Sequence, residues 1–163
     1  GEVCIKSAST FKGYWKNQEA TDQALTSDGW VKTGDIGYLD DQGFLYINDR
    51  KKDLVIRGGE NISCIEVESM ICEHPSVLEA SVFGVPDDRL GEILATYICI
   101  RDDSNLSEEE ISSFLAEKIA NFKIPTHYRF QTDKLPRIAS GKIAKIDMRK
   151  EAVELLKTNG NIK

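Results

Sequence analysis

The stretch RKKDLVIRGGENISCIEVE, Arg50 to Glu68, decides how the rest of this sequence is read. Its charged start, Arg50-Lys51-Lys52-Asp53, reads as a surface loop or hinge. Leu54-Val55-Ile56 is a short apolar run rich in β-formers. Gly58-Gly59 permits positive φ, which suits a tight hairpin turn or a close approach of ligand to backbone. A helix is then predicted from Cys64 to Glu73. Val67, Met70 and Ile71 have i, i+3, i+4 spacing, and Pro75 stops it.

Downstream, strands are predicted around Ala80 to Val85 and Leu94 to Ile100. Asp102-Asp103-Ser104-Asn105 reads as a turn. Ser107 and Glu110 have capping-box spacing before a second helix with an apolar stripe of Ile111, Phe114, Leu115 and Ile119. His127 to Phe130 reads as a strand. A last helix is expected from near Asp147, carrying Val153 and Leu156, with a frayed tail from Asn159 to Lys163. Upstream, Val3, Ile5 and Ser7 alternate with Cys4 and Lys6. Tyr38 to Ile47 reads as a β-hairpin with Gly43 in its turn. The order strand–helix–strand–strand–helix–strand–helix predicts an α+β fold. Residues 51–163 should form a small domain, a short sheet with about three helices on one face. Residues 1–50 should be a β-rich remnant of a larger domain, with little to build a core from.

The 163 residues are 40% hydrophobic and 29% charged, which fits a soluble globular chain. No apolar run is long enough to span a bilayer. Gly1 to Ser9 lack the features of a secretory signal, so a cytoplasmic protein is expected. The net charge of −6 argues against non-specific nucleic-acid binding. Yet residues 118–150 hold nine Lys or Arg against two Asp, a local +7 that leaves −13 on the rest. That segment is either an anion site for a phosphate-bearing ligand or a solvated basic face. Cys4, Cys64, Cys72 and Cys99, with His74 and His127, have no metal-ligand spacing. Reduced, mostly packed thiols and no bound metal are expected.

Three motifs occur in order. Thr33-Gly34-Asp35 is followed by the hairpin and Asp49-Arg50, then by the Arg50–Glu68 stretch, then by LPRIASGKIAK, Leu135 to Lys145. Together with the opening GEV and Gly13-Tyr14-Trp15, they resemble the adenylate-forming superfamily of acyl-CoA synthetases, luciferases and adenylation domains. The resemblance covers nearly the whole chain and implies its C-terminal end.

It also implies a two-step reaction. A carboxylic acid and ATP, with Mg²⁺, give acyl-adenylate, and CoA as co-substrate then takes the acyl group. Asp35 resembles the aspartate that accepts hydrogen bonds from the ATP ribose. Arg50 resembles a second ribose contact. Ile47 matches an apolar position beside the nucleotide, though a packed strand residue explains it equally. Lys52 occupies the hinge position. Gly58 and Gly59 resemble the loop lining the pantetheine tunnel. Lys142 matches the lysine that reaches the α-phosphate and the substrate carboxylate, a positioned ammonium for the charge growing there. Phe122 and Lys123 fall where some relatives hold the CoA nucleotide, with a core role for Phe122 as the alternative. Ile124 and Leu90 depart from that pattern.

The resemblance implies that the rest of the ATP site and the acyl pocket lie upstream, so this chain alone should be inactive. The acid is expected to be a fatty acid. An aryl acid, a carrier-protein acceptor and a non-catalytic binding module are the alternatives. The Pro136–Lys142 arrangement resembles sites switched off by a lysine acetyltransferase.

Overall fold

The structure, a computed structural model, describes residues 1–158. It divides into two units, Gly1–Lys52 and a second that begins at Asp53. The tail residues expected to fray, Asn159 to Lys163, lie outside the described residues.

The first unit is a three-stranded antiparallel sheet in the order β1 (Glu2–Ile5), β2 (Val31–Leu39), β3 (Leu45–Arg50). The β2–β3 hairpin forms where expected. Asp40 Oδ1 accepts from the Gln42 and Phe44 amides at 3.0 and 2.8 Å, and Gly43 turns the chain at φ +85°. A bulge between Ile36 and Gly37 shifts the register. A Cβ at Gly37 would strike the Tyr46 carbonyl oxygen. A short helix, α1 (Gln18–Ala24), went unforeseen because it buries no residue and so leaves no apolar stripe. Its N-cap is Asn17, whose side chain accepts from the Ala20 amide at 3.0 Å. No apolar side chain of this unit is fully buried, and Tyr38 and Tyr46 stack at 5.2 Å on its exposed surface.

The second unit holds a five-stranded sheet: β4 (Val55–Arg57), β5 (Glu60–Ile62), β6 (Val77–Asp87), β7 (Gly91–Ile100) and β8 (His127–Gln131). The order is β5–β4–β7–β6, and β8 runs parallel to β7 over Ala95 to Cys99. Its helices are α2 (Cys64–Cys72), α3 (Glu108–Ala116) and α4 (Lys145–Thr158), with a 3₁₀ turn at Asn121–Lys123. Ser63 and Ser107 cap α2 and α3 by accepting from the Glu66 and Glu110 amides at 3.2 and 3.1 Å.

The expectation that the helices share one face of the sheet is wrong. Side chains alternate along β6 and β7, and both sets are buried. Val82, Leu94 and Ile98 pack with Val67 and Ile71 of α2 and Ile111 and Leu115 of α3. Phe83, Val85, Ala95 and Tyr97 pack with Met148, Ala152 and Leu156 of α4 on the opposite side. A strand covered on both faces reads as an almost continuous apolar run, as Val82 to Val85 and Ile93 to Ile100 do.

Other expectations shift at the margins. β6 and β7 run longer than predicted and are joined by Asp88 to Leu90 alone. α3 ends at Ala116, but Ile119 still packs on the core. Cys64 and Cys99 are buried, whereas Cys4 and Cys72 are exposed, so only half of the thiols are packed.

Candidate functional site

Lys142 lies at the tip of a small antiparallel loop between β8 and α4. Arg137 and Ile143 form its β-bridge. The Ile138 amide donates to the Lys142 carbonyl, Gly141 to Ile138 and Ala144 to Pro136, each at 2.8 Å. Gly141 supplies the reversal at φ +83°. Arg137 Nη1 donates to the Gly141 carbonyl at 2.9 Å, and Nη2 pairs with Glu79 of β6. The other Glu79 oxygen accepts from the Leu135 amide at 2.7 Å. On the helix side of the loop, Lys145 pairs with Glu68 at 2.7 Å, and Glu68 also accepts from the Val82 amide at 2.7 Å. Burial works against the Lys145 charge, but the Glu68 charge and hydrogen bond outweigh it, so its pKa lies above the ordinary lysine value.

These pairs resolve the charge of segment 118–150. Six of its nine basic residues are tied to glutamates: Lys118, Lys123, Arg129, Arg137, Lys145 and Arg149. Among the described residues, Lys134, Lys142 and Lys150 of that segment have no ion pair. Lys142 is exposed, so its ammonium is available to an anion.

Gly58 and Gly59 form the two-residue turn between β4 and β5, which pair from Arg57↔Glu60 to Val55↔Ile62. Both have positive φ, +59° and +94°, so the hairpin by itself accounts for glycine here. The Gly58 amide donates to the Leu90 carbonyl at 2.8 Å. Arg57 Nη1 donates to the Phe122 carbonyl, so the turn and Phe122 stand together. Phe122 is 39% exposed and belongs to neither core cluster, so the core alternative for it falls. The Lys123 ammonium is held by both Glu66 oxygens, at 2.6 and 2.8 Å.

The glycine turn and the Lys142 loop sit at opposite ends of the β6–β7 hairpin. Gly58 bonds Leu90 at the closed end. Glu79, which braces the Lys142 loop, pairs with Cys99 near the open end. Eight residue steps separate Glu79 from Asp87, which at strand rise is about 26 Å.

In the first unit, Asp35 and Arg50 are cross-strand neighbours whose side chains form an ion pair at 3.5 Å. Thr33 Oγ1 accepts from the Asp35 amide at 3.1 Å and donates to the Val3 carbonyl at 2.9 Å, fixing the start of this arm. Thr33, Gly34, Arg50, Lys51 and Lys52 line a cavity of about 420 Å³. Ile47, on β3, is 49% exposed and not packed in a core. Lys52 is exposed and is the last residue of its unit.

Residues 66–142 match the family described as AMP-binding enzyme C-terminal domain. That match covers 77 of the 163 residues and lies wholly within the second unit. The chain is 43% identical over 148 residues to crotonobetaine/carnitine–CoA ligase of Proteus mirabilis, covering 89% of this chain and 28% of that protein. It is 48% identical over 143 residues to 2-succinylbenzoate–CoA ligase of Bacillus licheniformis, covering 88% and 29%. The solved structure of ATP-bound MatB from Rhodopseudomonas palustris superimposes with a TM-score of 0.89 at 35% identity, covering 95% of this chain and 31% of that one. The chain thus spans under a third of the length of these relatives.

The second unit contains neighbours of the Lys142 loop that motif reading missed. Glu79 and Glu68 brace the Lys142 loop from outside its motif. Only partner distances reveal them, because a glutamate on a strand or helix has no sequence signature. Among the described residues, no helix is long and apolar enough to cross a membrane.

Proposed function

We propose that this chain works as the mobile C-terminal part of an AMP-forming acid–CoA ligase. In the first step a substrate carboxylate oxygen attacks the α-phosphorus of ATP, and pyrophosphate leaves. In the second, the CoA thiol attacks the acyl carbon; AMP leaves and the thiol gives up its proton. Lys142 serves the first step: its free ammonium stabilises charge growing on the phosphate oxygens and orients the carboxylate. That unpaired, exposed ammonium at the tip of a braced loop is the observation that carries the reading. Asp35 and Arg50 hold the nucleotide ribose, beside Ile47. Gly58 and Gly59 pass the pantetheine arm in the second step, with Phe122 at the CoA nucleotide. Lys123 contributes only if it exchanges Glu66 for a phosphate.

The two loops lie at opposite ends of one hairpin, so a single placement of the domain presents one of them. Lys52 is the hinge that exchanges them. Mg²⁺ accompanies ATP and is held mainly by the upstream part of the ligase. Acetylation of the exposed Lys142 would remove the charge used in the first step. A fatty acid is the first substrate to test, and the cytoplasm the expected location.

The test compares the full-length protein that carries this chain, its Lys142→Ala variant, and residues 1–163 alone. Each receives ATP, Mg²⁺, CoA and a panel of fatty and aryl acids. Lys142→Ala should lower adenylate formation by about a hundredfold or more and largely spare thioester formation from pre-made adenylate. The short chain should be inactive. Unchanged adenylation in Lys142→Ala, or turnover by the short chain, would overturn the reading.

A further inference from the structure

We infer that Glu79 and Arg137 are positioning residues for the adenylation step, acting through the Lys142 loop. The inference rests on the role proposed for Lys142. Glu79 uses both carboxylate oxygens on the loop: one accepts from the Leu135 amide at 2.7 Å, and the other meets Arg137 Nη2. Arg137 spends its second nitrogen inside the loop, donating to the Gly141 carbonyl at 2.9 Å. The path from β6 to the peptide bond before Lys142 is therefore Glu79, Arg137, Gly141. It crosses the loop from one strand to the other.

A surface ion pair usually does little for a fold, and the packing on both faces of the sheet holds this one together without it. The geometry instead suits aiming. Lys142 has no partner to fix its position, so the backbone beneath it must be fixed. A guanidinium can do this because its fork is planar and engages two acceptors at set angles. A lysine at position 137 could reach one acceptor or the other but could not hold both rigidly. The Lys145–Glu68 pair secures the helix side of the loop. Of these two side-chain braces, the Glu79–Arg137 path is the one that touches the residue before Lys142.

Glu79→Gln, Arg137→Lys and the double variant would be made in the full-length protein. Adenylate formation, thioester formation from pre-made adenylate, and amide hydrogen exchange would be measured. Each single change should slow adenylation about tenfold, since small misplacement of a catalytic group is costly. Thioester formation should stay within about twofold. Exchange should rise across residues 135–143 but not across 93–99. The double variant should be no slower than the slower single, because both changes cut one path. Normal adenylation in Glu79→Gln, equal loss in both half-reactions, or faster exchange throughout the domain would overturn the inference. Lys142→Ala separates the two readings. If it leaves adenylation intact while Glu79→Gln loosens the loop, the role of Lys142 fails and the brace stands. If it abolishes adenylation while Glu79→Gln changes nothing, the brace fails and the role stands.

Discussion

The turn at Gly58-Gly59 and the loop at Lys142 occupy the two ends of the same β-hairpin, yet different forces shape them. The turn is held mainly by backbone: the short β4–β5 ladder and the Gly58 amide on the Leu90 carbonyl. Nothing lies within 4 Å of where a Cβ on Gly59 would sit. The loop adds charge to its own backbone bonds, with Glu79 on Arg137 at one side and Glu68 on Lys145 at the other. Neutral backbone suits a surface that a ligand slides past. Glutamates neutralise six of the nine basic residues of segment 118–150, and Lys142 is one of the three left without an ion pair among the described residues.

The largest effect on this contrast should come from Lys52→Pro. If one end must replace the other, fixing φ at the hinge should slow thioester formation about a hundredfold and leave adenylation within about twofold. Equal loss of both half-reactions, measured separately, would sink the hinge. Gly59→Val comes next. A β-branched residue at φ +94° is strained whatever the space. It should destabilise the domain by about 1–3 kcal/mol and slow thioester formation about tenfold, with adenylation little affected. Adenylation falling as far would show that the two ends are not independent.

The smallest effect concerns His127, on β8 between the two ends. Burial is the main influence on its pKa and sets it below the ordinary histidine value; the nearby Glu108 and Asp87 oppose this. The folded state thus favours neutral imidazole. Its contribution is present above the unfolded pKa and is lost as pH falls through the folded one. His127→Gln should flatten the fall in chemical stability from pH 7 to about pH 5, visible in denaturation midpoints. An unchanged slope would remove His127 as the cause.

Most elements of the second unit were legible because their signals are local. The α2 stripe, the Ser107 cap and the paired glycines each fall inside a few residues. Having helices on both sides of the sheet was not legible. A run such as Ile93 to Ile100 says that both faces are covered but does not say which helix covers each. Among the candidate residues, Lys142, Asp35 and Arg50 were singled out through motifs, whereas Glu79 and Glu68 were not. A bracing glutamate is defined by what lies across from it, 56 residues away in the case of Glu79 and Leu135. The Glu66 grip on Lys123 was hidden for the same reason, 57 residues apart.

The long hairpin packed on both faces also sets an aiming tolerance. Treated as a stiff rod of about 26 Å, a tilt of about 5° at one end sweeps the other by about 2 Å. That is wider than the margin that the role proposed for the Lys142 ammonium could lose without cost. The buried side chains of β6 and β7, remote from either loop, therefore act as the bearing on which the accuracy of both depends.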